Sequence, residues 1–260
     1  MSGHTGTSDP ASLTGDRVAV PAPAISSAHA ELDFDTGMEH YDLRSMPPRA
    51  TGDTPQHPAA AGGGDIPPLL YAWFSHPRPV MWAADHAVHI EYPLGARLLR
   101  RMGPNTVVLN PDYSWSLAVH GSAAEVNADL TELDVRSISF HGSAARIRLR
   151  LGIPKGTRTI RCSSLANLYL AHPPPIPVRV ELARGASRVG LHGRDIGAAG
   201  RGLFDQTSGW DTATDRWLLL ASAGVSRLTV ITDTTPGCSP AAVEQSGDSP
   251  HHSLPALSDP

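Results

Sequence analysis

An internal repeat with a period of 21 residues runs through the middle of the chain, and few folds keep such a register. His120-Gly121-Ser122-Ala123-Ala124-Glu125-Val126 recurs as His141-Gly142-Ser143-Ala144-Ala145-Arg146-Ile147. One more period brings Cys162-Ser163-Ser164-Leu165-Ala166-Asn167-Leu168, and the next brings Ala183-Arg184-Gly185-Ala186-Ser187-Arg188-Val189. The register then slips, and Ser222-Ala223-Gly224-Val225-Ser226-Arg227-Leu228 matches the preceding unit after 39 residues.

The flanks follow the same register. Trp115, Leu117 and Val119 alternate before the first turn, and Val126, Ala128 and Leu130 alternate after it. The later units repeat this with Ile138 and Phe140, then Ile147, Leu149 and Leu151. A period of two puts one face of each strand inward. Two short strands per unit, with small residues between them, predict an all-β chain wound as a right-handed β-solenoid of about 21 residues per rung. Equivalent residues would then stack in columns about 4.8 Å apart. The alternative is a β-sandwich of hairpins, which explains alternation but has no reason to hold a fixed period.

Composition supports a chain rich in turns. Gly and Pro number 24 each, and aromatic residues make up 5%. Prolines lack a donor, so Pro154 and the run Pro173 to Pro177 belong in links between rungs. The net charge of −4 and pI near 6.3 argue against general nucleic-acid binding. Residues 1–65 carry nine acids against three bases, with Pro-, Ala- and Gly-rich tracts. They read as a disordered acidic tail, because so little apolar surface cannot offset the entropy of ordering. Within it, acids alternate with apolar residues from Glu31 to Met46, which include Phe34 and Tyr41. Residues 234–260 read as a second disordered tail.

The segment from about Val107 to Asp233 resembles the right-handed β-helical C-terminal domains of bacterial cell-wall-stress response proteins and of adhesin head domains. The residues that carry the likeness are Ile176-Pro177-Val178-Arg179-Val180, Arg184-Gly185-Ala186-Ser187 and Ala223-Gly224-Val225-Ser226. The resemblance implies a β-helix and a link to cell-envelope stress, and it transfers no catalytic residue.

The domain reading is therefore a tail over 1–65, an aromatic-rich cap over 66–106, a solenoid over 107–233 and a tail over 234–260. The cap holds Trp73 and Trp82, and Gly95 to Met102 is predicted as a short helix stopped by Gly103-Pro104. No leader or membrane-spanning stretch is recognisable, and Cys162 and Cys238 lack metal-ligand spacing, so the expected location is cytoplasmic.

Candidate chemistry is sparse. His86, His89 and Glu91 are the only metal-ligand pattern, and on a strand the two histidines would face opposite sides. His120 and His141 should stack in neighbouring rungs, in a column continued by Cys162, Ala183 and Ser222. The Gly-rich run Gly193 to Gly202 lacks a phosphate-binding fingerprint and reads as an inserted loop where the register breaks. No paired acids or nucleophile motif appear, and no cofactor is called for. The expected function is a non-enzymatic scaffold for an unknown protein partner, without membrane insertion. Trp73, Trp82, Trp210, Phe34 and Tyr41 are the interaction candidates, and self-association through the solenoid edges is open. A carbohydrate-binding or carbohydrate-acting β-helix is the alternative, and an external groove with two or three carboxylates would favour it.

Overall fold

The computed structural model describes residues 17–22, 28–47, 67–84, 86–93 and 104–234. Among them every regular element is a strand, so the chain is all-β, and no helix long and apolar enough to cross a membrane is present. The predicted helix over 95–102, residues 235–260 of the second tail and Cys238 lie outside the described residues.

The central part runs in chain order. Strands β9 (Ser114–Val119) and β10 (Ser122–Leu130) are followed by two long strands, β11 (Asp134–Leu151) and β12 (Thr157–His172). Both long strands pass through a corner, so that each belongs to two parallel ladders. In the first ladder β9 pairs with the front half of β11, and that half with the front of β12. In the second, β10 pairs with the back half of β11 and that half with the back of β12. The repeat is visible as register: Ala123 lies opposite Ala144, Val126 opposite Ile147 and Ile147 opposite Leu168.

Both ends depart from chain order. Strands β13 (Val178–Leu182) and β14 (Ala186–Leu191) do not lie on β12. The last two strands, β17 (Arg216–Ala221) and β18 (Val225–Thr232), return to sit between them and β12. This insertion explains the slip from 21 to 39 residues. The outer strands are then capped by antiparallel partners, β15 (Arg194–Ala199) on β14 and β16 (Leu203–Gln206) on β13. The Gly193–Gly202 run is thus an edge strand with its turns, not an inserted loop.

The N-terminal end repeats the arrangement in mirror order. β2 (His29–Phe34), the two-residue β3 (Gly37–Met38) and β4 (Tyr41–Ser45) form a tier that packs directly on β9 and β10. Outside them lie β7 (Ala87–Glu91) and β8 (Asn105–Leu109), which run parallel to β2 and β4. β6 (Val80–Ala84) and β5 (Leu70–Trp73) cap that tier in antiparallel pairing, and β1 (Arg17–Val20) adds a further antiparallel strand to β5.

Two expectations are corrected by this end. The first 65 residues are not a disordered tail throughout, because 17–20 and 29–45 hold four strands whose larger apolar side chains are buried. Ala30, Leu32 and Phe34 point inward while Glu31 and Asp33 face out. The acidic–apolar alternation was therefore strand periodicity, set between tracts whose composition masked it. The proposed cap over 66–106 is half cap and half core tier: β5 and β6 cover edges, whereas β7 and β8 continue the ladders.

The core lies between the ladders and is built of columns. In the second ladder Val107, Leu43, Ala128, Leu149, Leu170, Val230 and Leu191 stand opposite one another from tier to tier, all buried. Leu149 is 1% exposed, and burying such a side chain stabilises by about 1.5–3 kcal/mol. The turns into two tiers are pinned by indole donors: Trp115 Nε1 donates to the Asn110 carbonyl at 2.9 Å and Trp217 Nε1 to that of Gly152 at 3.1 Å. At the corner the tiers crowd, and a Cβ on Gly142 would collide with the Gly121 carbonyl.

Candidate functional site

Alternation fixes which side chains face outward on the first ladder, and register lines them up. The outward column beside the corner begins at β6 with Trp82, followed by His89 and Asp33. It passes through the small residues Ala118 and Ser139 in the middle. It continues as Arg161, Leu220 and Glu181 and ends on β16 at Phe204. Nine strands contribute one residue each, spanning about 38 Å at the ordinary inter-strand spacing. The C-terminal half of this column opens into a cleft of about 690 Å³ whose lining includes Arg161, Glu181, Phe204 and Leu220, with His141 and Ser222 at the corner.

The apolar end of the cleft is held by stacked cations. Phe204 is 51% exposed. The Arg179 guanidinium lies over its ring at 4.4 Å and over Trp210 at 5.3 Å, and Arg216 lies over Trp210 at 5.1 Å. Arg216 also donates to the Trp210 carbonyl at 2.8 Å and to Thr157 Oγ1 at 2.8 Å. Cation–ring contacts of this kind contribute about 0.5–1 kcal/mol each at exposed positions. Arg179 thus bridges the exposed Phe204 ring and the buried Trp210 ring. Arg161 and Glu181 flank Leu220 from opposite sides, so the cleft offers one positive and one negative group about an apolar floor.

The other end has a different chemistry. Trp82 stacks on His89 with ring centres 5.0 Å apart and planes 8° apart. His89 Nδ1 faces Asp35 at 3.3 Å and Asp33 at 3.7 Å. Burial pushes the Asp33 carboxyl above its ordinary range, with His89 pulling the other way. His86 lies in the turn before β7, with its ring 5.9 Å from that of His29. His86, His89 and Glu91 are not brought together, and among the described residues no group of three His, Cys, Asp or Glu is placed to hold a metal ion.

The remaining candidates divide by burial. Phe34 and Tyr41 are core residues, at 0% and 1% exposure, so neither presents an interaction surface. They meet edge-to-face at 4.9 Å, and the Tyr41 hydroxyl bonds that of Tyr92 at 3.0 Å. Trp210 is buried under its two arginines. Trp73 is half-buried, with Arg17 over its ring at 5.3 Å. His120 and His141 do stack, 4.8 Å apart and 3° from parallel. Their column does not continue to Cys162, however, because the ladder shifts at the corner and sets Cys162 opposite the inward Phe140. Burial pushes the Cys162 thiol up to about 12, which leaves it a core side chain and no nucleophile. Phe204, Leu220, Arg161 and Glu181 escaped the sequence reading. Each is an outward residue in an alternating run, and they converge only once the return of β17 is known.

No protein-family model and no curated protein sequence matches the chain. Among solved structures, the crystal structure of a "putative cell adhesion protein" from Clostridium sporogenes ATCC 15579 is similar, with a TM-score of 0.57 at 13% identity. The match covers 86% of this chain and 100% of that one. At this identity the likeness concerns the fold.

Proposed function

We propose that the chain is a non-enzymatic interaction module built on a right-handed β-solenoid, and that the cleft beside Phe204 receives a protein partner. Parallel ladders at a fixed offset support the solenoid over the sandwich, since hairpins would make neighbouring central strands antiparallel. Right-handedness follows the general preference of parallel crossovers. The observation that carries the functional reading is Phe204 itself, a large exposed apolar side chain with Arg179 over its ring. Such anchors in a partly apolar, charge-rimmed surface are the common currency of protein recognition. The cleft lining holds one carboxylate, Glu181, where hydrolysis of a glycoside needs a pair. A role in adhesion or envelope stress agrees with the structural neighbour's description and with the family resemblance.

A photo-crosslinking residue placed at Phe204 tests this, with the exposed Ile153, which does not line the cleft, as control. A discrete protein adduct at 204 and not at 153, lost on adding Glu181→Lys, is the expected result. The same adducts at both positions would sink the cleft as a recognition surface.

A further inference from the structure

The outer face of the second ladder carries arginines that the fold does not use. Across the tiers one outward column reads Glu125, Arg146, Asn167, Arg227, Arg188. The neighbouring column, two residues along each strand, holds Arg148 and Tyr169. Some arginines here are structural: Arg146 pairs with Glu125 at 3.1 Å, and Arg150 pairs with Asp129 at 2.7 Å and Asp233 at 2.8 Å. Arg148, Arg188 and Arg227 are different. All three are exposed, and among the described residues none has an ion pair. Arg188 and Arg227 lie directly opposite each other in register. Like charges so placed on adjacent strands repel each other. Two repelling guanidinium groups with no ion pair of their own point to a ligand that neutralises them.

We propose that this face binds an anionic polysaccharide, a glycan chain bearing carboxylate or sulfate groups. Guanidinium forks match such oxyanions in bidentate fashion. The tier spacing sets Arg146, Arg227 and Arg188 along a line of about 14 Å, suited to an extended chain crossing the strands. Tyr169, 38% exposed beside Arg148, offers a flat face to a sugar ring, and Asn167 supplies both a donor and an acceptor for hydroxyls. A nucleic acid suits the face less. It carries one exposed aromatic, Tyr169, where single strands call for a run of stacking platforms, and the exposed acids Asp42 and Asp195 toward the two ends of its column confine any polyanion to the middle tiers. The surface is on the other ladder from the cleft, so this proposal and the protein-partner reading fail separately.

Gel retardation of the full chain in polygalacturonate and in dextran sulfate tests it, with neutral dextran and single-stranded DNA as comparisons. Retardation by an anionic glycan is expected, absent in neutral dextran and weakened by salt. The Arg188→Gln/Arg227→Gln double variant should lose about tenfold in affinity while melting no lower than wild type, because a like-charge repulsion has been removed and no ion pair lost. Should it misfold, Arg148→Gln alone must weaken binding. Phe204→Glu should leave retardation unchanged. No retardation by either anionic glycan, undiminished binding in the arginine variants, or DNA bound as tightly as the glycans would each overturn the proposal.

Discussion

The middle of this molecule and its two ends are made of the same strands under different rules. From β9 to β12 each tier pairs with the next in sequence, and a 21-residue period sets the register. At either end a tier is inserted out of order, and the outermost tier is closed by antiparallel strands. The difference answers a problem of parallel sheets. An uncapped end exposes a long edge that would recruit another chain. Here β5, β6, β15 and β16 cover those edges, while β2–β4 and β17–β18 tie the outer tiers to the middle.

The largest effect expected from this contrast comes from deleting residues 1–47. A tail would be dispensable, but these residues bury Leu32, Phe34, Tyr41 and Leu43 between two other tiers. At about 1.5–3 kcal/mol for each buried side chain, the loss is comparable with the whole stability of an ordinary domain. The truncated chain should show no cooperative melt by circular dichroism. An unchanged melting temperature would return these strands to the status of an ornament.

Next comes a pair of buried charges. Leu149→Asp in the middle and Leu191→Asp in the outer C-terminal tier occupy the same inward column. Either leaves an unpaired carboxylate in the core, which costs several kcal/mol. Because each tier contacts only its neighbours, the consequences should differ. Hydrogen exchange should show protection lost throughout for Leu149→Asp. For Leu191→Asp it should be lost over 178–206 and kept over 114–151. Equal loss in both variants would mean that the ends and middle fold as one unit.

What the sequence disclosed follows the same division. The strands from 114 to 172 were legible because their partners lie one period away, so a repeat in the chain is a contact in space. Leu32, Phe34 and Tyr41 alternate as cleanly, but nothing local reveals that β9 and β10 will pair with them across some 85 residues. Phe204 and Trp82 end the outward column for an equally non-local reason. Each sits on a capping strand whose position depends on the tier order. Legibility was lost wherever a strand's neighbour in space was not its neighbour in sequence.

Corner glycines give a smaller and sharper comparison. Gly142 in the middle and Gly224 in the returning C-terminal tier both sit at the small-residue turn. A Cβ at 142 would strike the backbone of Gly121, whereas at 224 it meets nothing. Gly142→Ala should cost about 1–3 kcal/mol through forced separation of tiers. Gly224→Ala should be neutral, or stabilising by about 0.4–1 kcal/mol through a less free unfolded chain. Urea denaturation distinguishes these, and equal costs would mean that the corner is as tight at the end as in the middle.

The smallest expected effect is a response to pH that separates the two ends from each other. His172 closes β12 and is buried, with Nδ1 donating to the Pro173 carbonyl at 3.1 Å and Nε2 without a partner among the described residues. Its ring meets that of His192, after β14, edge-on at 5.6 Å. Burial lowers the proton affinity of both. The folded chain therefore binds fewer protons than the unfolded chain once pH falls below about 6.5, and stability at the C-terminal end declines from there downward. At the N-terminal end Asp33 is shifted the other way, with its neutral form favoured. Its contribution is present in acid and is lost as pH rises through the raised value. Lowering pH from 7.5 to 5 should thus loosen 178–191 and 225–232, while 29–45 holds or tightens. Hydrogen exchange, corrected for its intrinsic pH dependence, reads this directly. His172→Leu should flatten the C-terminal response, and an acid response of equal sign and size at both ends would break the distinction, because burial lowers the proton affinity of His172 and His192 and raises that of Asp33.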